Sequence, residues 1–209
     1  MVNAGFEGWP RAAFDVLLRL EGVPSLEVRR ECRLEREELV RQPMIGLLNA
    51  MADADSAYED FAVWRYGGVS LRAWQCQSAN VRLSRNVELT VRFDLDGLEV
   101  GLAWWYGPSE QIERYRAAVA ESASGRRLTG VLRKLERDGY AISGDRLKRP
   151  LRGYPADHPR AELLRHKSLI ATRPLGAEDW IHTAAAADRI LEAFTQLRPL
   201  SRWLIDNVR

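Results

Sequence analysis

The chain has 209 residues, 46% of them hydrophobic and 29% charged, with a formal net charge of +2. That is enough apolar material for one sizeable core, so residues 1–209 read as a single domain, and too little basic excess for a dedicated nucleic-acid binder. Cys32 and Cys76 are too few for a secreted disulfide scaffold and lack zinc-ligand spacing, so they read as reduced thiols, with no metal or cofactor expected.

In chain order, Trp9-Pro10 opens a helix, with Phe14, Leu17 and Leu18 at helical spacing and Gly22 as its stop. Ser25 is the N-cap expected for a second, long helix. Leu26, Leu34, Leu39 and Val40 give that helix a partial apolar stripe and leave a highly charged outer face. Pro43 should kink or break it, and Met44, Leu47, Leu48 and Met51 carry the stripe onward. No run approaches about 18–20 apolar residues. Residues 1–20 lack the order of a signal peptide, so a cytoplasmic protein away from membranes is expected.

The period then changes from helical to alternating. Phe61–Tyr66 and Ser70–Gln75 are strand candidates joined by Gly67-Gly68, and Val81 and Leu83 mark a third. Val87, Leu89, Val91 and Phe93 alternate with polar residues. After a turn at Asp94–Gly97, so do Leu98, Val100, Leu102 and Trp104. Residues 60–106 therefore read as one central antiparallel sheet with helices before and after it, an α+β class. A helix follows from Ser109 to about Ser122, and another beyond Ser124-Gly125 carries Leu128, Val131, Leu132 and Leu135. Arg160–Lys167 reads as a short helix and Leu169–Thr172 as a short strand ended by Pro174. A last helix runs from Ala177, with a break at Pro199.

No phosphate-cradling glycine loop and no Gly-x-Ser-x-Gly is present. The segment Ser143–Pro159 is the densest in chemistry. Arg146, Lys148, Arg149 and Arg152 lie on an irregular backbone that can converge on an anion. Asp157 or His158 can cap the helix that follows, and His158 can titrate near neutrality. The structural alternative is a staked crossing loop, with Asp145 and Asp157 paired to the arginines and Tyr154 packed on the core. Trp64, Trp74, Trp104 and Trp105 crowd the sheet. They can line an apolar pocket or fill the core.

With Gly153-Tyr154-Pro155-Ala156-Asp157-His158-Pro159, the preceding Ser143–Pro150 and the following Glu162–Ser168, the chain resembles the bacterial family called domain of unknown function 2461. Gly5-Phe6, Arg41-Gln42-Pro43-Met44 and Val100-Gly101-Leu102 extend the resemblance over nearly the whole chain. That family carries an Arg-rich motif near its first strands. Here Arg65 takes its first place and Tyr66–Leu71 lack the rest. The resemblance thus implies a divergent member with a rebuilt, more apolar pocket.

The reading these features support is a protein that binds an anionic or aromatic small molecule, with an enzyme as one form of it. Trp64, Arg65 and Trp104 would line the pocket. Arg149, Arg152, Asp157 and His158 would supply charge and proton transfer. The competing readings are a non-catalytic protein-interaction module, with the helix at 26–41 facing a partner or a second copy, and, less favoured, a nucleic-acid binder.

Overall fold

The computed structural model describes residues 5–64, 74–105, 107–149, 153–155 and 157–208. Arg65, Arg72, Arg152, Tyr106, the Gly67-Gly68 turn and most of the Ser70–Gln75 strand candidate lie outside the described residues.

The first helix, α1 (Ala12–Arg19), starts just after Pro10 as expected. Ser25 caps α2 (Leu26–Glu31), its hydroxyl accepting the Val28 N–H at 3.2 Å. The long second helix is in fact segmented. A short α3 (Arg33–Arg36) runs into a π turn at Glu37–Arg41, and α4 (Gln42–Ala54) then begins with Pro43 in its first turn. Proline has no N–H and its ring crowds the preceding turn, so the ladder widens there. The Gln42 N–H reaches back five residues to the Glu37 carbonyl.

The strands are β1 (Phe61–Val63), β2 (Gln77–Ser84), β3 (Val87–Asp94), β4 (Gly97–Trp104), β5 (Ala141–Ser143) and β6 (Leu169–Gly176), in the order β1-β2-β3-β4-β6-β5. The sheet is antiparallel and the class is α+β. It reaches beyond the predicted meander, since β5 and β6 are added from the C-terminal half. β5 pairs with β6 from Ala141 opposite Thr172 to Ser143 opposite Ile170. Pro174 does not end β6. It lies beyond the last β5 partner, where the missing N–H breaks no bond to β5.

The remaining helices are α5 (Ser109–Ala120), α6 (Ser122–Arg137), α7 (Ala161–Leu164) and α8 (Ala185–Val208). The α5–α6 break falls at Glu121, not at Ser124-Gly125. The Glu121 carboxylate accepts the Ala123 and Ser124 N–H groups at 2.8 and 2.5 Å, and these bonds hold it below the usual carboxylate range. α8 continues through Pro199. An internal proline costs about 3 kcal/mol. Burial of Leu197, Leu200, Trp203 and Leu204, at about 1.5–3 kcal/mol each, outweighs that.

The chain divides into two compact units, one of residues 1–81, 90–100 and 174–193, the other of residues 82–89, 101–173 and 194–209. In the first, buried Trp9 stacks on Phe93 at 4.8 Å and its indole N–H donates to the Val40 carbonyl beside the π turn at 3.1 Å. Arg36 belongs to this interior and not to the charged outer face, being 1% exposed. Its guanidinium donates to the Trp74 and Cys76 carbonyls at 3.0 and 2.6 Å and to Gln77 Oε1 at 3.2 Å. In the second unit, Trp104 stacks on Tyr115 at 4.8 Å. Tyr115 also meets Trp203 edge-on at 5.9 Å and donates its hydroxyl to the Leu163 carbonyl at 3.1 Å.

Candidate functional site

The second unit carries an open cleft of about 400 Å³. One wall is the outer face of α6, where Thr129, Arg133 and Glu136 recur at helical spacing with Leu132 beside them. The other wall is the segment leading into and out of α7, which contributes His158, Pro159, Arg160, Glu162 and His166. Arg146 and Ile142 complete the lining.

The α7 wall is irregular in backbone but closely staked. Asp145 donates its N–H to Ser168 Oγ at 2.8 Å and accepts the Lys167 N–H at 2.8 Å. Leu147 donates to the Arg165 carbonyl at 2.8 Å, and Arg165 returns bonds to the Leu147 and Lys148 carbonyls at 2.8 and 3.1 Å. Gly144, at φ +132°, lets the strands close here. A Cβ at that position would stand 2.2 Å from the Ser168 carbonyl oxygen. The structural alternative for this loop is therefore partly present, with different pairings. Asp145 pairs with Lys167 at 2.7 Å rather than with an arginine.

Arg160 is committed to structure. Its guanidinium reaches three carbonyls at the end of α5, those of Val119, Ala120 and Glu121, at 2.6, 3.0 and 3.4 Å. This close approach needs Gly125, whose Cβ would lie 2.3 Å from Arg160 Nε. Arg133 is exposed on the cleft wall, and Arg146 has an ion-pair contact with Glu162 at 4.0 Å. Glu162 is itself held by Arg165 at 3.0 Å. The lining carries Arg133, Arg146 and Arg160 against Glu136 and Glu162, three cations to two carboxylates and so a net charge of +1, and of the cations it is Arg133 and Arg146 that are not committed to backbone carbonyls.

Two imidazoles line the same cleft. His158 Nδ1 accepts the Arg160 N–H at 3.1 Å, and the His158 carbonyl accepts the Ala161 N–H at 2.8 Å. His158 thus fixes the turn ahead of α7, but the side-chain cap expected from Asp157 or His158 is not made, since the N-cap position is Arg160 and has no side-chain cap bond. His166 is 4% exposed. Its Nδ1 lies 2.9 Å from the Ser168 carbonyl, which can only accept, so Nδ1 carries the proton. Burial, with Arg146 and Arg165 near by, pushes its pKa below the ordinary histidine value.

Of the residues singled out from the sequence, His158 lines this cleft. Asp157 and Arg149 are exposed and are not among its lining residues. Trp104 is 0% exposed and stacked in the core, so it offers no face to a ligand. A large aromatic at the inward position of a strand is consumed by packing. Trp64 is 58% exposed, its indole N–H donating to Asn80 Oδ1 at 3.2 Å. Trp105, on the opposite side of β4 from Trp104, donates to Glu88 at 2.9 Å. Arg65 and Arg152 lie outside the described residues. Sequence reasoning missed Arg133, Glu136 and Thr129. Their spacing on the polar face of α6 was readable, but only the apolar face was used.

Among the described residues no group of three or more histidine, cysteine or carboxylate side chains could hold a metal ion, and no helix is long and apolar enough to cross a membrane. A family described as conserved hypothetical protein (DUF2461) matches residues 73–203, which include every residue of the cleft. Gly5-Phe6, Arg41–Met44 and Arg65 fall outside that match. No curated protein matches the chain.

Proposed function

This chain belongs to the DUF2461 family of conserved hypothetical proteins, and we propose that it binds a small anionic molecule in the cleft between α6 and the α7 segment. The observation that carries the reading is the pair Arg133 and Arg146 on the walls of a cleft of about 400 Å³, one exposed and the other with only a 4.0 Å contact to a carboxylate. Guanidinium groups suit bidentate contact with phosphate or carboxylate. The volume is that of a small-molecule site. His158 and His166 add hydrogen-bonding groups on the same lining.

Titration of inorganic phosphate into the protein, followed by calorimetry and by the imidazole resonances of His158 and His166, tests this. Both resonances should move, and the double variant Arg133→Ala/Arg146→Ala should bind at least about tenfold more weakly while keeping its circular dichroism. Imidazole resonances that stay still at saturating phosphate would refute the reading.

A second reading, an interaction module that pairs with another copy of the chain, is favoured by Leu26 and Leu34 in the first unit, 61% and 79% exposed. They sit on segments that alternate Arg29, Arg30 and Arg33 with Glu27, Glu31 and Glu35, a self-complementary pattern. Size-exclusion chromatography of the wild type and of Leu26→Glu/Leu34→Glu decides it. A wild type that elutes as a monomer at high concentration removes this reading.

A further inference from the structure

The two cleft histidines are held by the backbone in opposite tautomers. The Arg160 N–H donates to His158 Nδ1 at 3.1 Å, so in neutral His158 the proton sits on Nε2. The Ser168 carbonyl accepts from His166 Nδ1 at 2.9 Å, so in neutral His166 the Nε2 atom carries a lone pair. Among the described residues, the buried side-chain nitrogens without a partner are Arg41 Nε, Trp104 Nε1 and Arg173 Nε. His166 Nε2 is not one of them, although no hydrogen bond reaches it, so this nitrogen of a 4% exposed residue is not fully sealed, and the residue lines the cleft. The lining therefore offers one imidazole donor and one imidazole acceptor beside Arg133 and Arg146.

We infer that the cleft selects an oxyanion that brings its own O–H, which donates to His166 Nε2 while the anion accepts from His158 Nε2–H and the arginines. This rests on the anion-binding reading above and narrows it to a chemical class. An acceptor that an acceptor-only ligand cuts off from water is left unpaired and repelled, and discrimination between isosteres is largest where a site is built to pair such a group. Hydrogen phosphate and sulfate form the probe pair. They share shape and charge at about pH 8, but only the former carries a proton, and His166, held below the ordinary histidine value, presents its Nε2 lone pair there.

Inorganic phosphate should bind at least about tenfold more tightly than sulfate at that pH. His166→Asn retains an amide N–H near the Nδ1 position and deletes Nε2, so it should bind the two anions alike. Methyl phosphate, fully ionised at about pH 8 because its second pKa is about 6, has no O–H and should behave as sulfate does. Glycerol 3-phosphate binding as tightly as inorganic phosphate, where methyl phosphate does not, would support the inference by showing that a hydroxyl beside the phosphate supplies the same donor. Long-range ¹H–¹⁵N spectra of the ligand-free wild type give an independent readout and should show His158 protonated on Nε2 and His166 on Nδ1. Equal affinities for phosphate and sulfate, or reversed tautomers, would overturn the inference and leave the anion reading standing. Binding of neither anion would end both.

Discussion

His166 shows how a single side chain ties stability to pH. Its folded-state pKa lies below the ordinary value because burial penalises the cation; the Ser168 carbonyl, the next largest influence, supports the cation, Arg146 and Arg165 oppose it, and Glu162 supports it, so burial decides the direction. The unfolded chain binds a proton at about pH 6.5. Above that value both states are neutral and the group carries no penalty. As pH falls from about 6.5 toward the folded value, the unfolded state takes up the proton first and stability is lost. Denaturant titrations from pH 8 to 5 should show this decline, and His166→Asn should flatten it. A wild-type curve as flat as that of the variant would exclude the assignment. Arg36 makes a related point about reading residues. Its position among exposed charges gave no sign that it would be enclosed. Its bonds to the Trp74 and Cys76 carbonyls and to Gln77 decide that, and they come from residues about 40 positions away.

At the level of elements, the α5–α6 corner depends on a glycine inside a helix. Gly125 was expected to separate two helices, because glycine ordinarily weakens helical segments. It lies instead in the first turns of α6, where a Cβ would stand 2.2 Å from the Val119 carbonyl oxygen and 2.3 Å from Arg160 Nε. Gly125→Ala, a change that stabilises most helices, should here destabilise by about 1–3 kcal/mol. Arg160→Ala, which uncaps the end of α5, should cost about 2 kcal/mol. Urea unfolding measures both, and Gly125→Ala at or above wild-type stability would contradict the packing described. The break itself was missed because Glu121 is an unusual N-cap, recognisable only from its bonds to the Ala123 and Ser124 N–H groups. β5 was missed for a different reason. Three residues, Ala141–Ser143, are too few to display alternation, and the strand exists through its pairing with β6.

For the molecule as a whole, the proposed anion binding would be linked to folding. An anion that binds only the folded state at a hundred times its Kd should raise unfolding free energy by about 2.7 kcal/mol. Chemical denaturation with and without saturating phosphate should show that increase, and Arg133→Ala/Arg146→Ala should remove it. A rise of equal size in the double variant would place the anion elsewhere. The net charge of +2 bears on the same experiment. With so little overall excess, selective anion binding has to come from local convergence of cations.

Alternation along Val87–Phe93 and Leu98–Trp104, the Ser25 cap and the density of charge between Ser143 and Pro159 were all legible before any coordinates. They are local patterns, and a period of two residues or a hydroxyl at a helix start has much the same meaning in many folds. Family membership was legible in the same way, from motifs that lie next to one another in the chain. The places of Trp104, Arg133 and His166 were not. Each depends on which distant backbone group or packing partner meets the side chain, and those meetings arise only when segments far apart in sequence are folded together.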